Sequence, residues 1–339
     1  MGAYLATLIV LTDSSLYRSE LASRIQAIHG GVVVRENVPL APQTRFGLGG
    51  PARLTVDAEQ ADAFVEAIAL ARSSQYPYVV LGGGSNLLVA DAGYDGIVLR
   101  FCGARIKLAG PEVTVESGAE LQSLVDFTID HGRSNLHTMT RIPGWVGAAI
   151  YGNAGAYGHS IMESVHRVRF HDGHDERWFS HAECQFAYRE SIFKRRKDWI
   201  ILSAELRMPE ADPAAMRREA DEIRATRDAK YPPTMKCAGS IFKNCLFVEL
   251  PADAAAQVPP KLVRDGKIPS AWFLEQVAAK GIRRGDIQVA AYHANLIYND
   301  GPNATAADVR TIVADLKQRV FDRYGFWLEE EVQYVGFTD

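Results

Sequence analysis

Three consecutive glycines stand directly behind a short apolar run. Tyr78-Val79-Val80-Leu81 leads into Gly82-Gly83-Gly84, and Ser85-Asn86-Leu87-Leu88 follows. A helix or strand interior is a poor place for such a triplet, because glycine loses the most backbone entropy on ordering. The chain must turn here, with positive φ open to it at every step. Backbone N–H groups released in such a turn can face outward together as an anion nest. Ser85 and Asn86 add side-chain donors. A pyrophosphate suits that chemistry without any lysine. A bare tight turn is the other reading, but a turn seldom needs three glycines.

Two further glycine-rich segments compete for the same role. Gly47-Leu48-Gly49-Gly50-Pro51-Ala52 formally fits G-x-G-x-x-[GA]. That dinucleotide pattern needs a strand before it and a helix after it. Here Pro39 and Pro42 precede it, a strand pattern follows, and Pro51 falls where helix bonding would begin. The Rossmann reading is rejected on that context, and no G-x-x-x-x-G-K-[ST] sequence offers a P-loop instead. The third segment is Ile142-Pro143-Gly144-Trp145-Val146-Gly147, then Asn153-Ala154-Gly155-Ala156-Tyr157-Gly158. Its small residues permit close approach to a flat ligand or to a second backbone.

Charge limits the ligand. Lys and Arg number 37 against 41 Asp and Glu, a net of −4, so a nucleic-acid partner is not expected. Any basic surface must be local, which fits a small anion. Cys102, Cys184, Cys237 and Cys245 lie far apart with no CxxC spacing, so a reducing cytoplasm is the expected compartment. Met1–Thr12 has no basic n-region. Ile142–Met162 holds five glycines, Pro143 and Asn153, so membrane insertion is not expected. His171, His174, His181 and Cys184 cluster without a zinc-site spacing, and no metal is expected.

Around the loops the pattern is β-α-β. Ala61, Phe64, Val65, Ile68 and Ala71 recur at helical spacing and predict a helix over 59–73. Strands are expected at 52–57, 78–81, 96–101, 112–117, 164–170 and 199–207, and helices at 17–28, 119–131 and 213–230. Pro232-Pro233 marks a boundary. Beyond it, Thr305 and Asp308 make a capping pair, Val309, Ile312, Val313, Leu316 and Val320 an apolar stripe, and Gly325 a stop. A strand over 327–335 ends the chain, and the fold class is α+β.

The segments PLAPQTRFGLGGPA, VLGGGSNLL, IPGWVGAAIYGNAGAYG, YRESIFK, GSIFKN, HANLIYND and WLEEEV occur in that order over about 38–336. Together they resemble the UDP-N-acetylenolpyruvoylglucosamine reductase family, which makes UDP-N-acetylmuramate for peptidoglycan. NAGAYG with HANLIYN is similar to the branch lacking an extra tyrosine loop. The resemblance implies a two-part FAD-binding domain of the vanillyl-alcohol-oxidase/PCMH type over 38–230, with subdomains at about 38–102 and 103–230. A smaller α+β substrate-binding domain over 231–339 would follow, with 1–37 as an N-terminal extension. FAD and NADPH are the implied cofactors: NADPH reduces FAD, and the flavin passes hydride to an enolpyruvyl double bond. The partners implied are the UDP-sugar and NADPH, with no obligate protein partner.

The resemblance also assigns residues. Arg189 takes the catalytic arginine's position, Ser240 the proton donor's and Glu331 the C-terminal glutamate's. Hydride arriving at an enol ether conjugated to a carboxylate leaves negative charge that a guanidinium can stabilise, and one carbon then needs a proton. Alternation leaves a second acid open. Trp327, Glu329, Glu331 and Gln333 share one face, while Glu330 is a lone acid beside Leu328, Val332 and Tyr334. Pyrophosphate contacts are expected from Gly82, Gly83, Gly84, Ser85, Asn86 and Leu87. Contacts on the isoalloxazine side are expected from Ile142, Pro143, Gly147, Asn153, Gly155, Ala156 and Tyr157. Tyr188, Lys243 and Asn244 are expected on the substrate. Lys194-Arg195-Arg196-Lys197 reads as a solvated basic face. Arg141 and Trp145 depart from the family's usual small residues, and Cys245 and Glu330 from its usual prolines. An oxidase of the same flavin superfamily and a binding module without catalysis remain as rival readings.

Overall fold

The computed structural model describes residues 14–338, so the uncharged Met1–Thr12 stretch lies outside the described residues. The first module holds α1 (Ser14–Gln26), β1 (Val32–Pro39), β2 (Pro51–Ala58), α2 (Ala61–Ser73), β3 (Tyr78–Val80), β4 (Leu87–Val89) and β5 (Tyr94–Phe101). Its sheet runs β1-β2-β5-β3. The pairs β2/β5 and β3/β5 are parallel, as crossover connections allow. Phe64, Ala67 and Ile68 of α2 are buried on this sheet with Val56 and Leu99. Leu21 and Ile25 of α1 join the same core, and β1 is an edge strand of the sheet. The segment read as an extension is therefore built into the first module from Leu21 onward. An edge strand buries little, and Arg35, Glu36 and Asn37 interrupt its apolar pattern, which hides it in the sequence.

The second sheet uses β6 (Ile106–Ala109), β7 (Glu112–Glu116), β8 (Val165–His171), β9 (Glu176–Ser180) and β10 (Ile200–Arg207). Their order is β9-β8-β10-β7-β6, all antiparallel. The helices of this module are α3 (Leu121–Asp130), α4 (Val146–Tyr151) and α5 (Pro213–Lys230). α5 starts where the Asp212 carboxylate accepts from the N–H groups of Ala214 (3.1 Å) and Ala215 (3.2 Å), with Pro213 in the first turn. Burying side chains such as Leu124, Phe170 and Leu206 contributes roughly 1.5–3 kcal/mol each.

The third sheet consists of β11 (Lys236–Ser240), β12 (Arg283–Arg284), β13 (Ile287–Val289) and β14 (Leu296–Asn299), in the order β11-β14-β13-β12. The long helix α6 (Ala306–Tyr324) buries Val309, Ile312, Val313, Leu316 and Val320 in this module's core. Thr305 Oγ1 accepts from Asp308 N–H (3.0 Å), and Gly325 ends the helix at φ +72°. Asp91, from the loop between β4 and β5, accepts from Ala306 N–H (2.8 Å) and Ala307 N–H (3.0 Å). The first module thus satisfies donors of the third module's main helix.

The last strand is shorter than 327–335. Only β15 (Gln333–Val335) pairs as a strand, parallel to β4 with Gln333 opposite Leu87. The preceding residues bond to the loop after β11 instead: Lys243 N–H donates to Glu329 O (2.9 Å) and Glu331 N–H to Ile241 O (2.7 Å).

One ion-pair cluster stiffens the first sheet next to the glycine turn. Asp57 and Arg100 are parallel-register partners. Arg100 donates through Nε and Nη2 to the two Asp57 oxygens (2.7 Å each), and Arg35 Nη1 adds a third bond (2.8 Å). Burial pushes the Asp57 carboxyl up, but these bonds and charges outweigh it and hold the group below its ordinary 3.8. A depressed carboxylate contributes stability above the unfolded-state value and loses it as the pH falls through the folded-state value. Asp57→Asn should therefore cost about 1–3 kcal/mol in urea unfolding at pH 7. The gap to wild type should close below the ordinary 3.8. A gap that persists undiminished in acid would refute this origin.

Candidate active site

The glycine turn lies between two joined hollows. The larger, of about 700 Å³, is lined by Gly83, Ser85, Asn86, Ile142–Trp145, Gly155–Tyr157, Arg189, Gly239, Ser240 and Glu331. The smaller, of about 350 Å³, is lined by Gly82–Leu87, Phe101, Gly147, Trp199 and, again, Trp145, Arg189 and Glu331. Gly84 sits at φ +65°, where a Cβ would stand 1.8 Å from Gln43 O. Only glycine fits that position. Trp145 packs on the turn, so that a Cβ on Gly83 would lie 2.9 Å from the indole. The Arg100 guanidinium lies 5.9 Å from the Trp145 ring centroid.

The lining suits a dinucleotide. Among the described residues, none of the five N–H groups from Gly82 to Asn86 finds an acceptor in the protein. Successive free donors in a glycine turn make an anion cradle. The larger hollow also takes Arg45, Arg141, Arg227 and Lys230 into its wall, against Glu120 and Asp228. Arg227 Nε is buried without a partner, and burial pushes its guanidinium down from its ordinary value. An anion in the hollow would relieve that cost. The residues present therefore fit FAD and a second phosphate-bearing ligand.

Arg189 occupies a strained turn. Ala187 and Glu190 exchange two backbone bonds (3.0 and 3.1 Å), leaving Tyr188 and Arg189 as the central pair. Arg189 lies at φ +56°, a left-handed conformation that costs a non-glycine residue roughly 1–2 kcal/mol. Its Nε donates to Glu331 Oε1 (2.7 Å) and its Nη2 to Gly155 O (2.9 Å). Ser240 ends β11, opposite Leu296, just after Gly239 at φ +78°. Glu331 joins Arg189 and Ser240 on the larger hollow. Glu330 turns away: Lys317 Nζ donates to it (2.7 Å) and so does the Tyr334 hydroxyl.

Other expected residues distribute unevenly. Gly82, Gly83, Gly84, Ser85, Asn86, Leu87, Ile142, Pro143, Gly147, Gly155, Ala156 and Tyr157 all line one or both hollows. Asn86 spends its amide within the protein, donating Nδ2 to Glu331 O (2.9 Å). Asn153 is only 3% exposed, donates to Ala187 O (2.8 Å) and accepts from Met162 N–H (3.3 Å), so it braces the Arg189 turn from behind. Tyr188, Lys243 and Asn244 line neither hollow. The Tyr188 hydroxyl accepts from Asn244 N–H (3.1 Å), and burial pushes this phenol up. The Lys243 side chain, 7% exposed, is held by Glu190 (3.0 Å) and Glu329. Lys194 departs from its reading as a solvated residue, since Nζ donates to Arg189 O and Glu190 Oε1 (2.9 Å each). Arg141 adopts φ +67° and pairs with Asp228 (2.6 Å). Cys245 pairs with Ile268 in a short strand, and burial pushes its thiol up to about 12.

Sequence reasoning missed Arg45, Arg227 and Lys230. The last two lie at the C-terminal end of α5, where basic residues are ordinary complements to the helix dipole, so nothing set them apart. Among the described residues, no three His, Cys, Asp or Glu side chains group as metal ligands. No described helix is long and apolar enough to cross a membrane.

Comparison with known proteins agrees with this geometry. Residues 52–178 match an FAD-binding domain family, and residues 231–335 match the family "UDP-N-acetylenolpyruvoylglucosamine reductase, C-terminal domain". The chain is 55% identical over 305 residues to the UDP-N-acetylenolpyruvoylglucosamine reductase of Solibacter usitatus, covering 90% of this chain and 97% of that protein. It is 34% identical to the enzyme of that name from Anoxybacillus flavithermus, covering 89% and 94%. The crystal structure of the Thermus caldophilus reductase superposes with a TM-score of 0.69 at 30% identity, covering 90% of this chain and 99% of that one. With the glycine cradle, the Arg189–Glu331 pair and both domains accounted for, this chain belongs to the UDP-N-acetylenolpyruvoylglucosamine reductase family.

Proposed function

We infer that this chain reduces the enolpyruvyl double bond of UDP-N-acetylglucosamine enolpyruvate, with FAD as bound cofactor and NADPH as reductant. The product is UDP-N-acetylmuramate, a peptidoglycan precursor. The observation that carries the site is the meeting of Arg189, Ser240 and Glu331 on one cleft with the free N–H groups of the glycine turn. Bound there, FAD would supply the two-electron chemistry that carries hydride from NADPH to the terminal enolpyruvyl carbon.

The chain's own residues do the rest. The N–H groups of Gly82–Asn86 would hold the cofactor pyrophosphate, and Ile142–Trp145 with Gly155–Tyr157 would line the rest of its site. Arg45, Arg227 and Lys230 hold the diphosphate of the UDP-sugar, and the substrate domain begins at Tyr231, after α5. As hydride arrives, charge moves toward the substrate carboxylate, where the planar, permanently charged Arg189 stabilises it. Glu331 accepts from Arg189 Nε and keeps the guanidinium aimed. The Ser240 hydroxyl gives a proton to the neighbouring carbon and regains one from solvent. Nucleotide substrates and four free thiols suit a cytoplasmic enzyme.

Two measurements test this assignment. Ser240→Ala and Glu331→Gln should each lower turnover roughly 100-fold or more, while NADPH still bleaches the flavin. Glu330→Gln should leave turnover near wild type and cost only about 1 kcal/mol of stability. Equal losses from Glu330→Gln and Glu331→Gln would reverse the choice of acid. Gly84→Ala must move the Gln43 carbonyl, and the purified variant should lose flavin absorbance that wild type retains. A wild-type protein that stays colourless and inactive after FAD is added would overturn the function.

A further inference from the structure

Behind Arg189 lies a charged network that the three reacting residues do not account for. A single oxygen, Glu190 Oε1, accepts from Lys194 Nζ (2.9 Å) and from Lys243 Nζ (3.0 Å). Lys194 Nζ also donates to Arg189 O (2.9 Å), one residue before its carboxylate partner. Lys243 Nζ reaches on to Glu329, two residues before Glu331. Glu190 and Lys194 follow β9, whereas Lys243 and Glu329 belong with the third sheet, so the network crosses the join between modules. Ser191 anchors its base: Oγ donates to Tyr151 O (2.7 Å) and accepts from Lys194 N–H (3.3 Å). Burial pushes the Glu190 carboxyl up, and the two lysines outweigh that and hold it below the ordinary carboxylate range.

The chemistry of the clasp is electrostatic. Arg189, Lys194 and Lys243 bring three cations close to one turn, and Glu190 is the anion between the two lysines. Without its charge, Lys194 keeps only the Arg189 carbonyl and Lys243 only Glu329, so the tie between the two lysines opens. The left-handed turn at Arg189 would also lose the ion pair that fixes the donor to its carbonyl. We propose that Glu190, gripped by Lys194 and Lys243, is a positioning residue that locks the strained Arg189 turn and sets the guanidinium against Glu331. The kinetic consequence rests on the reductase function; the geometric one does not.

The test uses Glu190→Gln, which keeps shape and removes charge, with Lys194→Met and Lys194→Arg. The first readout is the ¹⁵N–¹H resonance of Arg189 Nε in the full chain, assigned by its loss in Arg189→Lys. It should move in Glu190→Gln and Lys194→Met and return toward wild type in Lys194→Arg. The second is stopped-flow flavin absorbance, followed separately for reduction by NADPH and for reoxidation by the UDP-substrate. Reoxidation should slow roughly tenfold to a hundredfold, with reduction by NADPH within about twofold. An unmoved Nε resonance, or both half-reactions falling together, would overturn the positioning role. A wild type that the UDP-substrate fails to reoxidise would instead sink the function, and the Nε readout would still decide the clasp. Lys194→Met, which opens one end only, carries the same measurements if Glu190→Gln does not fold.

Discussion

Glu331 is held through both its backbone N–H and its backbone carbonyl, and the site depends on that double hold. Its N–H donates to Ile241 O (2.7 Å), and its carbonyl accepts from the Asn86 amide (2.9 Å). The first bond ties it to the residue after Ser240. The second ties it to the glycine turn. Its carboxylate then takes the Arg189 Nε, from the second module. Three parts of the chain, up to 245 residues apart in sequence, are thereby fixed around one side chain. Each bond is worth only about 1 kcal/mol, yet together they remove the freedom that would let the three groups drift apart. Precise placement of reacting groups is where much of an enzyme's rate advantage comes from.

The electrostatics follow from the same arrangement. The chain as a whole is slightly acidic, with a net of −4. Its cleft is not, because Arg45, Arg141 and, from the end of α5, Arg227 and Lys230 reach one hollow. Arg227 shows what this costs. Its Nε has no partner, and burial works against its charge. Such a cost in a folded chain is offset when an anion occupies the hollow, and the free N–H groups of the turn on the same hollow make the same demand. The Arg189 backbone adds a third instance of local disadvantage at the site, where strain persists only because surrounding bonds over-determine it.

What was legible in the sequence divides along physical lines. The glycine turn was legible because its function needs the absence of side chains, and absence is visible at once. α6 was legible because its cap and apolar stripe are local signals: Thr305 and Gly325 sit where that helix begins and ends. β1 was not, since an edge strand buries one face weakly and carries charge on the other. The partners of Lys194 and Lys243 were also invisible. Both are fixed by Glu190, which is four residues from one and 53 from the other, and only the second separation requires the tertiary fold. Asn153 shows another limit of local reading: a polar residue inside a glycine-rich loop attracts a ligand reading, and its amide also satisfies a buried backbone carbonyl.

The two neighbouring glutamates show why alternation alone could not choose the acid. Period-two logic assigned Glu330 to the face of Leu328 and Val332, and both of those side chains are buried. A lone acid on such a face is costly unless something neutralises it. Lys317 reaches across from α6 to do so, and the Tyr334 hydroxyl completes the pairing. The apolar surroundings that made Glu330 suspicious therefore hold a structural ion pair. Glu331, on the polar face, has Arg189 as its partner and the cleft before it. The discriminating fact is the identity of the cation each acid meets. One lysine comes from a helix that packs the core, and one arginine from a strained turn on the cleft. That pairing is set by which modules converge, a property of the assembled chain that no window of neighbouring residues contains.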